Sequence, residues 1–245
     1  VSDWPGEWII PDWPAPLCVK ACVTTRCGGV SQAPFDSFNL GDHVDDDPDA
    51  VATNRQRLQQ VLGCEPAWMS QVHSSTVVQA DPQGCPTADA SWTGVEGVAC
   101  TVLTADCLPV LFCDLAGTRI AAAHAGWRGL VAGILEATVA DMEMPGAQLM
   151  AWLGPAIGPE AFEVGAEVRD AFVSQHATAA EAFSLSHNAG RHMADIYQLA
   201  RIRLAACGVS AVFGGGFCTV SDPRFYSYRR AARTGRFASL VWLDR

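Results

Sequence analysis

A chain of 245 residues, 49% of them hydrophobic, is long enough to bury a sizeable core in one large domain or two closely fused halves. Its formal net charge of -10, with five aspartates between Asp42 and Asp49, opposes long-range attraction to nucleic acid or anionic membrane but leaves room for a local basic pocket that binds a small anion. With no apolar run of about 18 residues and an N-terminal VSDWPGEWII lacking a basic region or long apolar stretch, neither a transmembrane span nor a signal peptide is expected. The ten cysteines are irregularly spaced, and Cys18, Cys22, Cys100, Cys113, Cys207 and Cys218 sit among apolar neighbours. They read as small buried hydrophobes in a reducing, cytoplasmic compartment.

In chain order, LCVKACVTT from Leu17 predicts a strand. The Gly-, Asp-, Ser- and Pro-rich stretch that follows, TTRCGGVSQAPFDSFNLGDHVDDDP, predicts a long loop or lid, with Arg26 at the strand end as the residue to test there. Residues 48–62 place Val51, Leu58, Val61 and Leu62 on one helical face, capped by Asp47 or Asp49, with Asn54 and Arg55 near the helix start. PAWMSQVHSSTVVQA predicts strand, turn and strand, and sets His73 among Ser and Gln rather than in an apolar core. Residues 81–94 predict another loop.

Residues 101–134 organise the rest. An apolar strand is interrupted by Asp106 and Cys107, and Pro109, having no N–H, predicts that the ladder breaks near Cys107. After a turn at Ala116 and Gly117, a second strand delivers His124, and HAGWRG leads into a helix over residues 130–142. Arg128 falls at the start of that helix, where backbone N–H groups are free. Cys107 and His124 thereby reach one rim of the sheet, the usual functional edge of open α/β architectures. Beyond it the pattern predicts a buried strand ending at Gly154, a helical stretch over 160–176, a polar loop over 177–191, a helix over 192–207, a strand with a glycine turn over 209–220, and a last buried strand, FASLVWL.

His73, Cys107 and His124 supply two imidazoles and a thiolate, a mixture zinc accepts, and three protein ligands with a fourth position left to water form the catalytic pattern. Their spacings of 34 and 17 residues exceed those of a finger and suit ligands assembled by a sheet. Asp106, beside the thiolate, is placed to orient a ligand imidazole or to receive a proton. Two other readings stand: unrelated polar residues at strand ends, and Cys107 as a nucleophile with His124 as its base, for which His73 is not needed. Arg128, with Arg229 and Arg230 after the aromatic group FYSY, suits a phosphate beside a flat base or sugar. The same arginines equally suit a cationic loop packed on the acidic 42–49 segment.

The quoted segments resemble the laccase-domain family, also described as multicopper polyphenol-oxidase-like proteins, peptidoglycan editing factors and purine nucleoside phosphorylase-like proteins. The resemblance runs through TTRCGGVS, FNLG, Asn54 with Arg55, QVHS, TADCLPVLF, AAAHAGWRGL, WLGPAIGPEAFEVG and FYSYRR with TGR, and weakens over residues 177–197. It implies one α/β domain over residues 1–245, with central mixed β-sheets flanked by helices, similar to the toxin-type cysteine hydrolases. It implies metal ligands at His73, Cys107 and His124, a catalytic set of Asp106, Cys107, His124 and Arg128, and substrate or phosphate contacts among Arg26, Asn39, Arg55, Arg128, Arg229 and Arg230. The implied activity is zinc-dependent phosphorolysis of adenosine, inosine or methylthioadenosine to free base and (methylthio)ribose 1-phosphate, with deamination of adenosine. The alternatives are a zinc hydrolase that removes misincorporated serine from a peptidoglycan precursor, a copper polyphenol oxidase, and a non-enzymatic metal-binding protein. Its partners would be a purine nucleoside and phosphate, with no nucleic acid or membrane, and the chain would be a monomer or weak homodimer.

Overall fold

The computed structural model describes residues 7–244; the first six residues, part of the N-terminal stretch read for a leader, and Arg245 lie outside the described residues. The elements in chain order are β1 (Val19–Val23), α1 (Pro48–Leu62), β2 (Glu65–Ala67), β3 (Val77–Gln79), β4 (Ala90–Thr93), β5 (Val98–Thr104), β6 (Leu108–Asp114), β7 (Ile120–Ala125), α2 (Trp127–Ala132) and α3 (Ile134–Asp141). They continue with β8 (Leu149–Leu153), β9 (Glu163–Gly165), α4 (Ala166–Val173), β10 (Phe183–Leu185), β11 (Arg191–Ala194), α5 (Ile196–Ala206), β12 (Ala211–Gly214) and β13 (Phe237–Leu243).

Two mixed sheets face each other. One has the order β1-β13-β5-β2 and the other β12-β8-β6-β7-β4-β3, with a small third sheet, β10-β11-β9, at the side. The two-residue period of a strand sorts the apolar side chains into layers. Leu111 and Cys113 of β6, Ile120 and Ala122 of β7 and Trp152 of β8 meet Val19, Ala21, Cys100, Val102 and Val241 between the sheets. The alternate residues Val110, Phe112, Ala121, Ala123 and Leu153 face Leu130, Ile134, Leu135, Leu199 and Leu204 of the helices. On the far side of the four-stranded sheet, Cys22, Ala99, Leu103 and Leu240 pack on Leu58 and Leu62 of α1. The result is helix, sheet, sheet, helices, and strands buried on both faces carry the continuous apolar runs that made β6 and β13 legible.

Several boundaries differ from expectation. The loop expected over 81–94 contains β4, paired antiparallel with β7. The helix expected over 130–142 is two helices, because Gly133 takes φ 92° and caps α2. The helical stretch expected from residue 160 starts only at Ala166, since Glu163–Gly165 pairs with β11. The polar 177–191 segment holds a short 3-10 helix and β10, while His192, Met193 and Ala194 belong to β11, so that α5 begins after Asp195, whose side chain accepts the Gln198 N–H. The ladder does break at residues 105–107, but Pro109 itself lies inside β6, where β8 is ending: its carbonyl accepts the Gly154 N–H at 2.9 Å. Cys22, Cys100 and Cys113 are buried, whereas Cys18, Cys207 and Cys218 are partly exposed. Among the described residues no helix is long and apolar enough to cross a membrane.

Candidate metal centre

Cys107 closes the turn that carries the chain from β5 in one sheet to β6 in the other, and Asp106 takes φ 87° to make that turn. His124, near the end of β7, stands opposite Pro109 in register, so the hairpin brings Cys107 and His124 to one end of the sheet. His73 arrives from the irregular segment between β2 and β3 with its backbone in the left-handed region, φ 62°. The cause of that conformation is Asp89. Its buried carboxylate accepts the backbone N–H groups of Val72 at 3.2 Å, His73 at 2.9 Å and Ser74 at 2.6 Å, and the Ser74 hydroxyl at 2.8 Å. The same carboxylate binds His124 Nδ1 at 2.8 Å, and the Asp89 carbonyl accepts the His124 N–H at 2.7 Å. One side chain thus orients the His124 imidazole and fixes the backbone that presents His73. The imidazole-orienting role expected of Asp106 belongs to Asp89, because Asp106 is turned away: its Oδ1 accepts the Thr219 hydroxyl and its Oδ2 the Arg229 backbone N–H, each at 2.6 Å. The sequence reading missed Asp89 because it lies in the stretch taken for a loop; the small-residue alternation of ADASWT was the available signal.

The electrostatics hold Cys107 as a thiolate, the form that ligates a metal once His124 gives up its proton. Burial opposes the Cys107 thiolate, but His124 and His73 outweigh it and draw the thiol down to about 6. Burial likewise opposes a charged His124, yet Cys107 and Asp89 hold its pKa up at about 9. Asp89, despite burial, is kept well below the usual carboxylate range by His124 and Ser74. With Nδ1 committed to Asp89, His124 offers Nε2, and the three ligand atoms lie within 4.8 Å of one another. Cys107 Sγ is 3.7 Å from His73 Nε2, close to the roughly 3.5 Å that separates a sulfur from a nitrogen ligand on tetrahedral zinc. Gly126 leaves the space free: a Cβ there would sit 2.9 Å from both Cys107 Sγ and His73 Cδ2. A thiolate, two imidazoles and a buried carboxylate behind one of them are a donor set that fits zinc.

The centre opens into a cavity of about 430 Å³. Trp127, Phe162 and Tyr228 give it aromatic walls, Leu103, Ile157 and Ile196 apolar ones, and Arg128, Arg229 and Arg236 a basic side, with His43 reaching in from the long loop. Of the sequence-proposed residues, His73, Asp106, Cys107, His124, Arg128 and Arg229 line this cavity and four do not. Arg26 is bound to Asp36 and stacked on Tyr226. Asn39 is fully buried, bonded to Gly41, Asp46 and the Arg236 backbone, where it shapes the loop. Arg55 lies over Trp68, paired with Asp42 and the Leu40 carbonyl. Arg230 turns inward to the carbonyls of Thr219, Val220 and Phe225. These four hold loops in place through groups that a bound anion would otherwise use. Arg236, part of TGR, is the cavity arginine that the sequence reading did not single out.

Fold and site together define a mixed α/β protein with an open two-histidine, one-cysteine centre at the floor of a basic, aromatic cavity. Residues 20–244 match the family described as multi-copper polyphenol oxidoreductase laccase, and the chain belongs to that family. It is 70% identical over 240 residues to a purine nucleoside phosphorylase of Pseudomonas aeruginosa, covering 98% of this chain and 99% of that one. The purine nucleoside phosphorylase YfiH of Escherichia coli K12 is 53% identical over 97% of this chain and 99% of its own length. Among solved structures, a Neisseria meningitidis protein superposes with a TM-score of 0.95 at 53% identity, covering 97% of this chain and 99% of that one. YlmD of Geobacillus stearothermophilus superposes with a TM-score of 0.90 at 27% identity, covering 99% of this chain and 98% of that one.

Proposed function

We propose that this protein is a zinc-dependent purine nucleoside phosphorylase that also deaminates adenosine. The observation that carries the reading is the convergence, in one cavity, of the His73–Cys107–His124 centre, aromatic walls and arginines that have no carboxylate partner among the described residues. The names of the relatives, purine nucleoside phosphorylases, support the phosphorylase part of it. His73, Cys107 and His124 would hold the metal, which supplies Lewis acidity when bound. Trp127, Phe162 and Tyr228 offer flat faces to a purine, and the apolar residues beside them exclude water from its edge. The basic side holds phosphate where its oxygen can attack the ribose C1′ as the bond to the base breaks and its electron pair leaves with the purine. Asp106, whose two oxygens each accept one hydrogen bond and keep further lone-pair capacity, is the cavity carboxylate that can take or return a proton.

The test is chromatographic: zinc-loaded protein with adenosine and inosine, each with and without phosphate. Free adenine or hypoxanthine with ribose 1-phosphate, formed only with phosphate, is the expected result. Inosine from adenosine alone would reduce the activity to deamination, and no product from either nucleoside would overturn the reading.

One observation favours a second reading. Cys107, His124 and Asp89 stand in the order nucleophile, base and orienting carboxylate, which serves acyl transfer from the thiolate and hence hydrolysis of an amide such as a serine-containing peptidoglycan precursor. The two readings part on metal: chelation abolishes the first and leaves Cys107 open to alkylation and active in the second. The coupled copper centres of a multicopper oxidase have little support, because among the described residues one cluster of three ligands is found.

A further inference from the structure

Arg236 enters the cavity from the residue before β13 and is held through both its backbone and its side chain. Its backbone N–H bonds Asn39 Oδ1 at 2.8 Å, and its carbonyl accepts the Leu40 N–H at 3.1 Å. Its aliphatic stem crosses Gly41 so closely that a Cβ there would lie 2.8 Å from Arg236 Cγ. At the far end, Nη1 donates to the carbonyls of Thr234 and Gly235, both at 3.0 Å. That anchoring leaves Nε and Nη2 without a hydrogen-bond partner among the described residues, and these two donors form the edge of a guanidinium that grips an oxyanion in two parallel bonds. Arg224 uses the same edge on the Asp222 carboxylate. Thr104, opposite Phe237 in the β5–β13 register, lines the same cavity with a buried hydroxyl that has no hydrogen-bond partner among the described residues.

Among the described residues no carboxylate contacts the Arg236 guanidinium. The cavity thiolate has His124 beside it, and the Asp106 oxygens are engaged by Thr219 and Arg229. Burial pushes the Arg236 guanidinium below its ordinary pKa, with only partial relief from Cys107 and Asp106. Burial and then Arg236 push His43, on the facing loop, in the same direction. A half-buried cation with an open fork and a protonation state its surroundings resist is a receptor that an incoming oxyanion relieves.

We infer that Arg236 is the bidentate seat for a phosphate-type oxyanion in this cavity, with the Arg128 guanidinium, which rests on Trp127 at 4.3 Å and has no hydrogen-bond partner among the described residues, as the second cation. The inference rests on the phosphorolytic reading only for the identity of the anion. It separates the roles of the arginines: Arg229, with both terminal nitrogens on the carbonyls of Ala161 and Glu163, shapes the wall, whereas Arg236 binds.

The test is calorimetric titration of the zinc-loaded protein with orthophosphate, and separately with ribose 1-phosphate, with and without saturating hypoxanthine, for wild type, R236K and R236Q. R236K keeps the charge and loses the fork, so the phosphate Kd should rise at least tenfold, and further in R236Q, while hypoxanthine affinity stays within twofold. Binding of ribose 1-phosphate but not orthophosphate would assign the seat to the product's phosphate group and still require the loss in R236K. R236K binding both anions like wild type, or wild type binding neither at millimolar concentration, overturns the seat. Should R236Q fail to fold, R236K decides. Formation of ribose 1-phosphate by wild type judges phosphorolysis on its own: product formed with an unchanged phosphate KM in R236K removes the seat and leaves the activity.

Discussion

Replacing Asp89 by Asn removes one charge and nearly no volume, yet it should disable the metal centre. The carboxylate accepts five donors: three backbone N–H groups, the Ser74 hydroxyl and His124 Nδ1. An amide has one acceptor oxygen. If its NH2 takes the Oδ1 position it confronts the His73 N–H and His124 Nδ1, and the imidazole escapes only by moving its proton to Nε2, the atom needed for the metal. If it takes the Oδ2 position it confronts the Val72 and Ser74 N–H groups and loosens the turn that presents His73. Loss of such a partner behind a ligand costs 10–100-fold in metal affinity, about 1.4–2.7 kcal/mol. Donors left unsatisfied in the interior should lower the stability of the metal-free chain by roughly 2–4 kcal/mol. Competition for zinc against a chromophoric chelator reads the first quantity and urea unfolding of the metal-free protein the second. D89N with zinc affinity within twofold of wild type would falsify the claim that Asp89 preorganises the centre.

Other outcomes follow from the same geometry. Metal-free protein should show a thiolate absorbance that persists as pH is lowered and is lost only near 6, where an ordinary thiol would already be lost near 9.0; C107A should lack that transition and H124A should move it upward. C107A should no longer retain stoichiometric zinc after reconstitution and desalting, and full zinc content would remove Cys107 from the ligand set. G126A should fold, with an unchanged near-ultraviolet spectrum, but bind zinc several-fold more weakly, because its methyl group contacts Cys107 Sγ and His73. R230Q should lower stability by about 1–3 kcal/mol through the carbonyls it abandons, with the phosphate KM unchanged.

The layers of the fold were legible where burial is two-sided. The predominantly apolar runs of β6, β7 and β13 and the capped, amphipathic α1 need no partner to be recognised. Short strands were not, because β9, β10 and β11 hold together through pairing with segments distant in sequence, and Glu163–Gly165 or Arg191–Ala194 carries no period of its own. The same division runs through the site. Chemistry-bearing residues at the ends of apolar strands, Cys107 and His124, could be read directly, and His73 stood out by its polar surroundings. Which arginines face the cavity could not, since direction depends on which carbonyls each guanidinium meets: Arg230 finds its own loop, Arg26 finds Asp36, and Arg236 is turned inward by the Asn39 loop. Asp89 was hidden because its role exists only once β4 lies beside β7.

The segment between β12 and β13 is stapled by Arg229 to the Ala161 and Glu163 carbonyls and by Arg230 to its own turn, yet Tyr228, one residue earlier, remains 58% exposed at the cavity mouth. Where a rim is hydrogen-bonded in this way and one aromatic ring stands exposed, a rotamer change, on the picosecond-to-nanosecond scale of exposed side chains, is enough to widen the mouth without moving a loop. Recognition at such a mouth freezes little chain entropy, so ligands of different outline would need no lid position of their own.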